Sequence, residues 1–119
     1  AFHQLDNFIV ILDKNQVQET GKTKDVMDIG NAAMKWKAFG WNVLEIDGNN
    51  MRGFIDAVST AKAVRERPTC IIAHTIPGKG VDFMEGDFTW HGKPPNEEEA
   101  TKALAELRTL QGKIVSEHE

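Results

Sequence analysis

The sequence predicts an α/β fold in which a parallel sheet carries flanking helices. Three observations predict it. The unbroken apolar run "FIVIL" (8–12) reads as a strand covered on both faces, and the apolar run in "TCIIAHT" (69–75) reads as a further strand. Between them lie two segments whose apolar residues recur at helical spacing. An alternation of strand, helix, strand, helix and strand needs crossover connections, which are right-handed and make the strands parallel.

In order along the chain, 8–12 is the first strand. From Asp28 to Phe39, "DIGNAAMKWKAF" sets Ile29, Ala32, Ala33, Trp36 and Phe39 at helical spacing, and Gly40 supplies the stop. "WNVLEID" (41–47) is the second strand. In "GNNMRGFIDAVSTAKAVRERP", residues Met51, Phe54, Ile55, Val58, Ala61 and Val64 share a helical face. Asn49 or Asn50 caps that helix, and Pro68 lies just past its end. The third strand, "TCIIAHT", leads into an irregular stretch, "IPGKGVDFMEGDFTWHGKPP" (76–95). The closing helix, "NEEEATKALAELRTL", takes Asn96 as its cap and acids in its first turn. It is expected to turn Leu104 and Leu107 inward and to stop at Gly112.

A length of 119 residues with 40% apolar side chains suits one small domain with one core, here spanning 1–119. The net charge of -4 gives no reason to expect nucleic acid or an anionic membrane as partner. No apolar run approaches the ~20 residues that a membrane span requires. The single cysteine, Cys70, sits inside an apolar strand and cannot form an internal disulfide. With no signal peptide at its start, the chain is expected in a reducing, cytoplasmic compartment. It lacks an initiator Met and is almost at once inside a strand, so a truncated piece of a longer protein is expected.

Parallel sheets of this kind bind ligands beyond the carboxyl ends of their strands. Two segments lie there, the loop after the first strand and the long loop after the third; a long irregular loop in a small domain is usually functional. In "IVILDKNQVQETG", Asp13 and Asn15 alternate as the chain leaves the strand and can offer oxygen to a common point. A hard cation such as Mg²⁺ takes such oxygens, together with backbone carbonyls, waters and phosphate oxygens. Val17, an apolar residue in a polar loop, can add its carbonyl while its side chain anchors the turn. Asp and Asn also simply make turns after strands, and spacing alone does not separate the two readings.

"PGKG" (77–80) follows a strand, and its glycines would let backbone N–H groups approach a phosphate; a mobile surface turn is the competing reading. In "WHGKPP", His91 lies in a loop where neither a helix face nor a strand face accounts for it. It can hydrogen-bond a phosphate or carry a proton near neutral pH, unless it merely packs against Trp90. His74 reads as a strand-end residue and His118 as part of the tail, while Trp36, Phe39 and Trp41 read as core or interface aromatics.

Together, "LDNFIVILDKNQVQETG", "AMKWKAFGWNVLEIDG", "PTCIIAHTIPGKGVDFME" and "WHGKPPNEEE" resemble, in order and spacing, the second half of the thiamine-diphosphate-binding domain of transketolases. The likeness covers nearly the whole chain and is greatest to the separately encoded N-terminal subunit type. It implies a partial thiamine-diphosphate-binding fold. In that family the Asn after the strand binds Mg²⁺ through its side chain and the apolar residue two further on through its carbonyl, here Asn15 and Val17. The resemblance makes His91 the catalytic residue of this stretch, beside the cofactor diphosphate and the sugar. Cofactor binding falls to Asn15, His91, Gly78, Lys79 and Gly80.

The implied activity is transfer of a two-carbon ketol unit between sugar phosphates, with thiamine diphosphate as electron sink and Mg²⁺ holding its diphosphate. The implied partner is a C-terminal transketolase subunit or domain, which carries the activating glutamate, in an assembled homo-oligomeric enzyme. The fragment alone would then be inactive. Two rivals stand beside this: another thiamine-diphosphate enzyme (a deoxyxylulose-phosphate synthase or a dehydrogenase first component), against which "WHGKPP" argues, and a non-catalytic α/β assembly module. Three departures from the family pattern are visible. No Gly-Asp-Gly, the family's cofactor signature, occurs in the chain; Pro77 stands where relatives often carry a cofactor-binding lysine, with Lys79 the candidate to stand in; and Glu19-Thr20 replaces an apolar-Asp pair.

Overall fold

The computed structural model describes residues 1–109. They gather into two compact units, one made of Ala1–Asn15 and Ile29–Thr75, the other of Gln16–Asp28 and the chain from Ile76 onward.

The first unit holds a three-stranded parallel sheet of β1 (Ile9–Lys14), β4 (Asn42–Asp47) and β5 (Thr69–His74), in the order β1-β5-β4. Ile9 and Asn42 both lie opposite Thr69, and Lys14 and Asp47 both lie opposite His74, so the three carboxyl ends are level. The path from β1 to β4 passes over β5, and the path from β4 to β5 steps back. Two right-handed crossovers in opposite directions put their helices on opposite faces. On one face α2 (Ala32–Ala38) packs Ala32 and Ala33 against Cys70 and Ile72, flanked by Val10, Leu12, Trp36, Trp41 and Val43. On the other, α3 (Met51–Ala63) packs Ala57 and Ala61 against Ile71, flanked by Ile9, Leu44, Ile46 and Val58. The odd and even residues of each strand thus serve different helices, as the pleat requires. This is the expected parallel sheet with flanking helices.

Several expectations about elements need correction. β5 is buried along nearly its whole length, but β1 is an edge strand and its Ile11 is 51% exposed, so β1 is not covered on both faces. The helix expected from Asp28 begins at Ala32. Asn31 caps it, its side chain accepting from Met34 N at 2.9 Å, and Gly30 before it has φ +62°. Ile29 and Phe39 are therefore not core residues, and Phe39 is 77% exposed. Trp36 and Trp41 are half-buried and pack edge to face at 4.7 Å. On α3, Met51 and Ile55 are exposed, and Phe54, Ala57, Val58 and Ala61 form the inward face. Of the two candidate caps, Asn50 is the one used, accepting from Gly53 N at 3.0 Å.

The second unit contains features that the pattern did not suggest. Val17–Gln18 (β2) and Gly21–Lys22 (β3) form a two-residue antiparallel hairpin, followed by one helical turn, Thr23–Val26 (α1). The segment 76–95 holds no strand; its one regular piece is a 3₁₀ turn at Phe88–Trp90. Helix α4 (Glu97–Thr109) starts in a reciprocal cap, where Glu99 N donates to Asn96 Oδ1 at 2.9 Å and Asn96 N to Glu99 Oε2 at 2.8 Å. Leu104 and Leu107 are exposed rather than turned inward. The expected stop at Gly112 lies outside the described residues. Among the described residues no helix is long and apolar enough to cross a membrane.

Candidate functional site

Level carboxyl ends bring the ends of β1, β5 and β4 to one edge of the sheet. There the Thr75 hydroxyl donates to the Asp13 carboxylate, joining the two adjacent strands beyond their backbone ladder. Gly48, which follows β4, donates its N–H to the His74 carbonyl at 2.8 Å. A Cβ on Gly48 would lie 2.4 Å from Thr75 Cγ2 and 2.9 Å from the Ala73 Cβ, so only glycine lets the chain pass this close to β5. Asp47 Oδ1 accepts from Asn49 N at 2.9 Å, a local turn rather than a ligand set. His74 ends β5 and meets the Glu45 carboxylate at 3.0 Å across exposed surface, a contact worth little. Cys70, fully buried in β5, has its thiol pushed up by desolvation and stays inert.

Asn15 follows directly from β1 and is half-buried, as is Val17 in β2. An amide oxygen and a peptide carbonyl are both hard, neutral donors, so in donor chemistry this pair fits Mg²⁺. They carry no charge, so an anionic ligand has to complete the shell. Among the described residues there is no group of three His, Cys, Asp or Glu side chains able to hold a metal unaided. Asn15 belongs to the first compact unit; Val17, Gly78, Lys79, Gly80 and His91 belong to the second.

The "PGKG" segment is a tightly stitched turn. Gly78 and Gly80 take φ of +71° and +91°, and a Cβ on Gly78 would fall 2.8 Å from the Met84 backbone. Backbone bonds from Val81 N to Gly78 O (3.0 Å), Glu85 N to Val81 O (3.0 Å) and Gly86 N to Pro77 O (2.9 Å) close it, and Val81 is buried. The Glu85 carboxylate lies 3.3 Å from Lys79 Nζ and 3.4 Å from Gly80 N. Lys79 and the Gly80 amide therefore already face an anion, supplied by the chain itself.

His91 is exposed and is held up by its neighbours. Trp90 Nε1 donates to the Phe83 carbonyl at 3.0 Å, and the Trp90 ring packs edge to face on Phe83 at 5.4 Å. Lys93 Nζ sits 4.0 Å over the Trp90 ring and 3.2 Å from Glu99 Oε1, linking the loop to the start of α4. Trp90 thus packs on Phe83 and Lys93. Sequence reasoning passed over Thr75, Gly48 and Glu85. The one available signal was position: Thr75 stands between the strand and the glycine turn, and Gly48 follows Asp47 at a strand end.

The family model described as "Transketolase, thiamine diphosphate binding domain" matches residues 1–112. An apulose-4-phosphate transketolase subunit of Phocaeicola vulgatus is 35% identical over 98% of this chain and 41% of its own length. A 6-deoxy-6-sulfo-D-fructose transketolase subunit of a Clostridium species is 38% identical over 87% of this chain and 38% of its own. Among solved structures, transketolase from Campylobacter jejuni superposes with a TM-score of 0.80 at 36% identity, covering 87% of this chain and 16% of that one. The chain spans about two fifths of the length of these curated relatives.

Proposed function

The chain belongs to the family of transketolase thiamine diphosphate binding domains, and we propose that in the whole protein it supplies the Mg²⁺ and diphosphate side of a transketolase cofactor site. One observation carries this reading: β1 and β5 end level and side by side, and Asn15 comes directly off the first of them, after its last two residues Asp13 and Lys14. Asn15, through its amide oxygen, and Val17, through its carbonyl, are the proposed Mg²⁺ ligands. Both are neutral, so the rest of the shell comes from the diphosphate, from water and from residues outside this sequence, where the family's Gly-Asp-Gly belongs.

When bound, thiamine diphosphate supplies the electron sink for moving a two-carbon ketol unit from a ketose phosphate to an aldose phosphate. Gly78 and Gly80 hold the turn after β5 in a left-handed conformation that keeps its backbone close to an incoming anion. Lys79 adds charge there when it exchanges Glu85 for phosphate. His91, exposed and braced through Trp90, is the proposed catalytic residue: it donates to an anionic oxygen of diphosphate or sugar and passes a proton near neutral pH.

The names of both relatives describe subunits acting on sugars that bear an anionic group, which supports a sugar phosphate or similar anion as substrate. The same names support a separately encoded C-terminal partner. The assembled enzyme is then a homo-oligomer of the pair, working in cytoplasmic carbohydrate metabolism of the pentose phosphate type. The test is to combine the full-length protein with its partner subunit, then to assay ketol transfer between sugar phosphates. Transfer only with both subunits, thiamine diphosphate and Mg²⁺ is expected. Failure of the complete mixture on every ketose and aldose phosphate pair would refute the reading.

A further inference from the structure

We propose that Thr75 is a positioning residue for the metal-bearing turn: its hydroxyl clasps the Asp13 carboxylate and so sets where Asn15, two residues on, presents its amide oxygen. The inference rests on the reading of Asn15 as a Mg²⁺ ligand and deepens it. Asp13 and Thr75 lie 62 residues apart in sequence and meet at the ends of adjacent strands. Asp13 pairs with Ala73 in the ladder, so Thr75 stands two residues along β5 from Asp13's partner, on the same side of the pleat. That side is the α3 side, since Ile9 and Ile71, at the same parity, pack in the α3 core.

The backbone ladder stops at Lys14 and His74, one residue short of Asn15. The bond from Thr75, the first residue past β5, to Asp13 reinforces the join between the two strands at that end. It is a charge-assisted bond from a hydroxyl to a carboxylate, one of the stronger kinds available. Threonine suits the task in both of its branches. A Cβ at Gly48 would meet Thr75 Cγ2 at 2.4 Å, so the missing side chain of Gly48 makes room for that methyl. A β-branched side chain has few rotamers, and seating the methyl at Gly48 leaves the hydroxyl aimed at Asp13. The three strand ends therefore bear on one side chain: the end of β4 through Gly48, β5 through Thr75 itself, and β1 through Asp13.

The test uses the full-length protein assembled with its partner subunit, in which calorimetry follows thiamine diphosphate binding against Mg²⁺. Thr75→Val keeps the shape and loses the hydroxyl, while Thr75→Ser keeps the hydroxyl. Loss of an orienting group behind a metal ligand weakens metal affinity about 10- to 100-fold. Thr75→Val should therefore raise the Mg²⁺ needed for half-maximal cofactor binding by at least about tenfold. Thr75→Ser should restore most of the wild-type affinity. The kcat of Thr75→Val at saturating Mg²⁺ and cofactor should stay near that of wild type, which a merely destabilised site would not do. A Thr75→Val protein with wild-type Mg²⁺ dependence overturns the proposal, and so does a Thr75→Ser protein as impaired as Thr75→Val. If Thr75→Val does not fold, Asp13→Asn answers the same question. It retains an acceptor but no charge, so a smaller weakening is expected and none would overturn the clasp. Asn15→Ala is the control that separates the two readings. If it too binds Mg²⁺ and cofactor as wild type does, the metal assignment itself falls; if it alone loses binding, only the clasp does.

Discussion

Of the glycines in the first unit, Gly48 has the least room for a side chain, and the reason is steric rather than conformational. Any Cβ there drives into Thr75 and Ala73, so Gly48→Ala should destabilise the full-length protein by about 1–3 kcal/mol in urea unfolding, as overpacking does. Glu99 gives a prediction about pH. Its carboxyl lies below the usual range because it accepts from the Asn96 N–H and pairs with Lys93. A depressed folded pKa stabilises at pH above the unfolded value, and the contribution is lost as pH falls through the folded value. The first turn of α4 should therefore loosen on acidification below the ordinary Glu range. In NMR the Asn96 amide shift should track that loss, and Glu99→Gln should abolish the dependence. At this scale the sequence offered Val17 and His91 as candidates because their residue types are unusual for their surroundings, and Asn15 through its alternation with Asp13; the family resemblance gave all three their proposed roles. Thr75 and Glu85 stayed hidden because each is defined by the partners that the fold brings to it. For Thr75 the partner is 62 residues away, and for Glu85 the partners are six and five away in a turn with no fixed period.

Helix α3 shows what periodicity can and cannot say about an element. Ile55 fell on the same expected face as Ala61, yet Ile55 is 54% exposed while Ala61 is fully buried. Spacing groups residues by direction, but the sheet covers only part of that arc, and Ala57 and Ala61 occupy the covered part. Ile71 and Ile55 should accordingly behave as opposites. Ile71→Ala, in the fully buried central strand, should cost about 2–5 kcal/mol by chemical denaturation. Ile55→Ala should stay within about 0.5 kcal/mol. The central strand was legible as a strand from its apolar run, but not its burial on both faces, since the equally unbroken run at 8–12 forms an edge strand. The β2/β3 hairpin was not, because two-residue strands carry no alternation to read. The late start of α2 follows from Asn31, which offers a cap where the apolar spacing alone suggested that the helix had already begun.

For the whole molecule, the order of elements implied the parallel sheet and its crossovers, and the family likeness agreed from four motifs in register. Strand order did not follow from pattern: nothing in "FIVIL" or "WNVLEID" says that both flank β5. The exposure of Ile11, Phe39, Leu104 and Leu107 was equally invisible, because a sequence marks which side chains are apolar and not which of them a neighbour covers. The central claim is that this chain brings the metal side of a thiamine diphosphate site. Calorimetric titration of thiamine diphosphate into the full-length protein with its partner subunit, with Mg²⁺ and with a chelator, for wild type and Asn15→Ala, tests it most directly. The account predicts binding that requires Mg²⁺ and is weakened at least about tenfold by Asn15→Ala. An Asn15→Ala protein that binds the cofactor as tightly as wild type, with the same Mg²⁺ dependence, would contradict it.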